Sequence, residues 1–143
     1  MQLVLGRPAN GIDRHEFWHA VSFYNYIQEP VGEGPRDRPT REMWANSGPA
    51  FLDVLNDLKP QHIIALGRAL WDNLPSIGRQ GPGIQSCGET KDTWIYPYEG
   101  GEALSTWVYH PSSPKGASAL SVHPYVKELM LTEFSAAEEK QNN

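Results

Sequence analysis

Between Gly48 and Pro75 the sequence changes its hydrophobic period twice. Phe51, Val54, Leu55 and Leu58 fall at i, i+3, i+4 and i+7, the spacing of one apolar helical stripe. Lys59-Pro60 ends that stripe, and His62-Ile63-Ile64-Ala65-Leu66 follows as a continuous apolar strand closed by Gly67. Arg68 to Leu74 then reads as a helix starting directly off the strand and stopped by Pro75. A strand apolar on both faces needs cover on both faces, and crossover helices supply it in parallel sheets. The expected fold class is therefore α/β, with a small central, mostly parallel sheet flanked by helices.

The remaining segments are assigned around this unit. Gln2 to Leu5 reads as a short strand, Arg14 to Ala20 as a short helix capped by Asp13, and Val21 to Ile27 as a β-branched and aromatic strand. Asn25 is the odd residue in that strand, because a buried amide needs hydrogen-bond partners. Gln28 to Pro39 is a Pro/Gly-rich loop, Thr40 caps a helix, and Ser47-Gly48-Pro49 punctuates the chain and opens a second one. Ser76 to Thr90 reads as a surface loop. Asp92 to Tyr98 and Ala103 to Tyr109 are aromatic strands joined by Glu99-Gly100-Gly101-Glu102, the pattern of an antiparallel hairpin. Pro124 opens a last helix reaching about Phe134, with Tyr125, Leu129 and Val126 inward. Residues 1–134 form one domain, and 135–143 a polar tail.

Charge and cysteine content narrow the function classes. The net charge of −5 excludes a global basic field for nucleic acid, so any such contact needs a local patch. Arg36, Arg38 and Arg41 gather near one helix start, and Lys115 follows the last strand; with Tyr24, Tyr26 and Tyr109 they make a cation–aromatic rim suited to phosphates and a stacked base. A solvated rim paired with Asp37 and Glu42 is the plain alternative. The single cysteine, Cys87, excludes an internal disulfide and fits a reducing, cytoplasmic setting. No stretch has membrane-spanning length, so no membrane partner is expected.

His110-Pro111-Ser112-Ser113 lies where the strand ending at Tyr109 breaks into a rigid polar loop. Ligands of α/β sheets bind outside the carboxyl ends of strands, which makes His110 a candidate. Other motifs carry less. His15-Glu16-Phe17-Trp18-His19 is a literal H-E-x-x-H, able to hold Zn²⁺ through His15 and His19 with Glu16 as base. The short helix lacks a third ligand at suitable distance, so no metal is assigned. There is no phosphate-binding G-x-x-x-x-G-K-[ST], Gly32-Glu33-Gly34 lacks the strand-then-helix context of a dinucleotide site, and Ser112 and Ser113 lie outside a G-x-S-x-G elbow. No cofactor is expected.

Three stretches together resemble the uracil-DNA glycosylase superfamily: Phe23-Tyr24-Asn25, then Leu58 to Gly67, then Val108-Tyr109-His110-Pro111-Ser112-Ser113. The likeness spans about Phe17 to Met130. It implies a three-layer sandwich and hydrolysis of an N-glycosidic bond, releasing uracil or another altered base from single- or double-stranded DNA after base flipping, as in DNA repair. Residue by residue, it makes His110 the catalytic donor to the oxyanion on the departing base. It makes Asn25 and Tyr24 base-binding, and Ser112, Ser113 and Lys115 the backbone-pinching loop beside Arg36 and Arg38. Asn10, in Leu3 to Gly11, matches the water-positioning catalytic residue. That first motif is shortened or missing and has no aromatic in its turn, and Pro114-Lys115-Gly116 offers no leucine wedge. The second expectation is a non-catalytic member of the same fold that binds nucleic acid or protein and completes its sheet edge as a homodimer. The third is the zinc hydrolase.

Overall fold

The structure, a computed structural model, describes residues 19, 21–86, 88–115 and 119–132. Among them are three helices, α1 (Arg41–Leu58), α2 (Arg68–Asn73) and α3 (Ala119–Leu131). The strands are β1 (His62–Leu66), β2 (Arg79–Gln80), β3 (Ile84–Ser86), β4 (Glu89–Lys91), β5 (Trp94–Tyr98) and β6 (Gly101–Val108). A four-stranded sheet has the order β1-β6-β5-β2, and β3 and β4 form a separate two-stranded sheet.

Only β1 and β6 run parallel, in the register His62 to Leu104 through Leu66 to Val108. The pairs β5–β6, β2–β5 and β3–β4 are antiparallel. This corrects the expected mostly parallel, glycosylase-like three-layer sheet: the arrangement is strand-rich and mostly antiparallel. The helix–strand–Gly–helix unit itself is present as read. Beyond α2, however, the chain turns back on itself several times before one strand returns beside β1. The Glu99-Gly100 turn, with Gly100 at φ +89, fixes β5 and β6 as a hairpin.

Other elements depart from expectation for local reasons. Val21 to Ile27 forms no strand; its backbone is irregular, and its tyrosines pack on α1 instead of pairing in a sheet. One helix replaces the two expected around Pro49. Proline clashes with the Cβ of the residue before it in a helical conformation, and Gly48 has none, so α1 continues through. Thr40 caps α1 as read, its Oγ1 accepting from the Met43 N–H at 3.2 Å. At the other end Lys59 takes the left-handed conformation, and its N–H donates to the Leu55 carbonyl at 2.9 Å. The expected loop Ser76 to Thr90 contains β2, β3 and most of β4. The last helix begins at Ala119, more than a turn before Pro124. The readings for Gln2 to Leu5, Cys87 and the tail 135–143 lie outside the described residues, as does nearly all of Arg14 to Ala20.

Two apolar clusters hold these pieces. Neighbouring residues of a strand face opposite ways, and the clusters divide accordingly. Ile64, Ile95, Leu104 and Val108 pack with Ile84 and with Tyr125, Val126 and Leu129 of α3. Ile63 and Tyr96 pack with Phe51 and Leu55 of α1 and with Tyr26. Phe51 meets the Tyr96 ring edge-on at 5.5 Å and the Tyr26 ring at 5.6 Å. Leu104 and Leu129 are fully buried, and each such side chain stabilises the fold by roughly 1.5–3 kcal/mol relative to exposure.

Candidate functional site

The carboxyl ends of the parallel pair β1–β6 deliver two loops to the same place. Gly67 extends the pairing one step, its N–H donating to the Val108 carbonyl at 2.8 Å. Its φ of +108 and ψ of 145 are open to glycine and strained for other residues. A Cβ on Gly67 would lie 3.7 Å from the Cβ of His110, so the start of α2 and the histidine loop are adjacent.

The His110 loop is tied to itself. The backbone N–H and the hydroxyl of Ser113 both donate to the His110 carbonyl, at 2.9 and 2.8 Å. The Ser112 N–H donates to Nδ1 of the imidazole at 3.1 Å, and Ser112 Oγ lies 2.7 Å from the same nitrogen. A backbone N–H can only donate, so Nδ1 accepts, and the proton of the neutral ring sits on Nε2. Pro111 fixes its own φ within this turn. The result is an exposed imidazole of set tautomer whose remaining hydrogen-bonding group is a donor.

Beside it stands a cluster of cations and rings. Trp107 and Tyr109 meet edge-to-face at 5.0 Å. The Arg68 guanidinium lies 5.3 Å from the Trp107 ring centre and also donates through Nε to Asp72 at 2.8 Å. Lys115 lies 5.3 Å from the Tyr109 ring. Lys91 lies 4.2 Å from Trp107, 4.0 Å from Tyr125 and 5.9 Å from Tyr109. Its Nζ donates to the Trp107 carbonyl at 2.9 Å. Burial pushes the Lys91 amine below the usual lysine range, and the charge of Glu89 opposes that shift. Glu89 in turn accepts from the Tyr125 hydroxyl at 3.2 Å.

Tyr109, His110, Ser112, Ser113 and Lys115 thus lie together on one loop. Asn25 is not placed with them among the described residues. Its side chain is exposed and its carbonyl accepts from the Gln28 amide, so the buried amide that singled it out does not exist. Tyr24 stacks towards Phe51 at 6.4 Å, and its buried hydroxyl has no partner among the described residues. Tyr26 donates to the Asn73 carbonyl at 3.4 Å, at the far end of α2 from Gly67. Six residues of helix separate the two regions by roughly 9 Å. Arg36 and Arg38 are exposed on a loop closed by Asp37, whose carboxylate accepts the Glu33 and Gly34 N–H groups at 2.9 Å each. Asn10, His15 and Glu16 lie outside the described residues; His19 is exposed. Among the described residues no group of three or more His, Cys, Asp or Glu side chains is placed to hold a metal ion, and no helix is long and apolar enough to cross a membrane.

Lys91 and Arg68 were not legible as site residues. Lys91 falls between the expected loop ending at Thr90 and the strand expected from Asp92, so neither element claimed it. Trp107 and Tyr109 carried a usable signal, since alternate residues of a strand share a face.

Comparison of the chain with models of known protein families, with curated proteins and with solved structures finds no match.

Proposed function

We propose that the protein binds nucleic acid at the carboxyl end of the β1–β6 pair, through Tyr109, His110, Ser112, Ser113, Lys115 and Arg68. The observation that carries this reading is the Trp107–Tyr109 pair with Arg68 and Lys115 over its rings, immediately before a loop of three hydrogen-bonding side chains. Trp107 is buried and backs the half-buried Tyr109 ring, which offers a stacking surface to any base, and the cations suit a phosphate backbone; the patch is local, as a chain of net charge −5 requires. A second reading, release of uracil or another altered base from DNA, is favoured by one detail. The Nε2–H of a neutral His110 is the donor that an oxyanion on a departing pyrimidine calls for. Asn25 lies on the α1 side of the fold, and for that reason the binding reading comes first.

Labelled single- and double-stranded oligonucleotides, with and without uracil, test both: fluorescence anisotropy reads binding, and alkaline strand cleavage at abasic sites reads base release. Binding that weakens with salt, and that falls about tenfold or more in Tyr109→Ala, supports the first. Base release by the wild type that disappears in His110→Ala moves the assignment to the second. No binding to any of these oligonucleotides at low salt overturns both.

A further inference from the structure

Strand β5 pairs with β6 only as far as the Trp94–Ser105 step, although β6 continues to Val108. Past that step the incoming chain peels away to form β4, which pairs with β3. Side-chain bonds replace the missing ladder. Ser105 Oγ donates to the Trp94 carbonyl at 2.7 Å, Thr106 Oγ1 to the Asp92 carbonyl at 2.9 Å, and Lys91 Nζ to the Trp107 carbonyl at 2.9 Å. Lys91 is the last of these ties, and two residues separate the carbonyl it holds from His110.

We propose that Lys91 is the positioning residue of the proposed binding surface: bonded to the Trp107 carbonyl and seated against the Trp107 and Tyr125 rings, it fixes the end of β6 from which Tyr109 and His110 meet a ligand. The inference rests on the nucleic-acid reading above. Its three supports are all stronger for the charged ammonium. A carbonyl oxygen and two ring faces are each electron-rich, and a neutral side chain of equal length satisfies none of them as well. Among the described residues the charged and titratable groups around it are Glu89 on its own hairpin, Tyr125 on α3, Tyr109 and Lys115 beyond β6, and Arg68 on α2, which shares the Trp107 ring. Glu89 is bonded to Tyr125, so it helps to close the ring of contacts about the amine. Lys91 touches the ligand nowhere in this scheme; it acts through Trp107 and Tyr109.

The test uses the full chain, a fluorescently labelled oligothymidylate, and the imidazole NMR signals of His110 assigned with His110→Ala. In Lys91→Met the His110 signals move in the absence of oligonucleotide, and affinity falls about tenfold. Lys91→Arg, which keeps the charge, restores most of both. In the wild type, affinity drops with rising pH along the titration of the Lys91 amine, followed at its own side-chain nitrogen signal, and Lys91→Arg lacks that step. Lys91→Met with wild-type His110 signals and affinity overturns the proposal. If Lys91→Met does not fold, the wild-type pH series decides: constant affinity and constant His110 signals through the Lys91 titration overturn it. If the wild type binds no oligothymidylate yet His110 moves in Lys91→Met, the nucleic-acid reading fails and the positioning role stands.

Discussion

Replacing Gly67 by alanine isolates backbone strain from steric clash at the root of the site. At φ +108 and ψ 145 an L-residue sits in a region close to glycine-only, at a cost of about 1–3 kcal/mol. The added methyl finds room, since its nearest neighbour is the His110 Cβ at 3.7 Å, ordinary contact distance. Two further glycines calibrate the result. A methyl on Gly34 has the Asp37 carboxylate group as its nearest neighbour, at 3.6–3.7 Å, and no positive φ opposes it, so Gly34→Ala changes stability by less than about 1 kcal/mol. Gly78 has φ +94, and a Cβ there falls 2.0 Å from the Ile95 carbonyl oxygen, so β5 itself must shift. Gly78→Ala therefore costs more than Gly67→Ala. Urea unfolding of the three variants at one temperature gives the order directly; each kcal/mol corresponds to about 2–4 °C in a parallel thermal melt for a chain of this size. Gly67→Ala as stable as Gly34→Ala refutes the strain argument. Gly78→Ala no worse than Gly67→Ala refutes the clash argument.

Leu104→Ala removes a fully buried side chain between Ile95 and α3 and lowers stability by about 2–5 kcal/mol, read by urea unfolding; a loss under 1 kcal/mol contradicts its place in the core. Glu102, whose carboxyl is held below the usual range chiefly by its hydrogen bonds from Arg79 and also by that charge, stabilises the fold at neutral pH. A depressed folded-state value means stability present above the unfolded carboxylate range and lost as pH falls through the folded one. The stability gap between wild type and Glu102→Gln accordingly narrows in acid, and a gap that widens there refutes it. Ser112→Ala removes the hydroxyl beside Nδ1 but leaves the backbone N–H on it, so the Nε2–H tautomer persists. Ring-nitrogen chemical shifts that show protonated Nδ1 in neutral His110 contradict that assignment.

The sequence carried the local elements well because their determinants are local. Thr40 and the five-residue run from His62 each act within a turn or a strand length and fold as read, whereas of the 51–58 stripe Phe51 and Leu55 are buried and Leu58 is exposed. Strand direction is different. The hairpin from Asp92 to Tyr109 was legible and forms, but nothing in it says which arm joins β1 or that the rest of the sheet is antiparallel, since pairing partners are chosen across the fold. Asn25 misled for a related reason: aromatic and β-branched residues suit a pleated surface, and they suit packing against a helix equally well. At the site, the histidine loop was legible because Pro111, Ser112 and Ser113 make a compact turn by themselves. Lys91 was not, because its partners Trp107 and Tyr125 lie 16 and 34 positions along the chain and only the peeling of β5 from β6 brings them together.

The pairing that frames the site also sets when it can exist. The β5–β6 hairpin closes across Glu99 and Gly100, whereas β1 reaches β6 only after residues 67–100 have been looped out. The longer closure costs on the order of 2–3 kcal/mol more chain entropy, and local contacts are the quicker to form. A folding chain is therefore expected to hold a native hairpin as far as Ser105, with Trp107 and Tyr109 still to be set in line, before Gly67 has come to rest against His110. Mutational analysis of folding rates reads this order: changes in β5 and β6 slow folding, while changes in β1 chiefly speed unfolding.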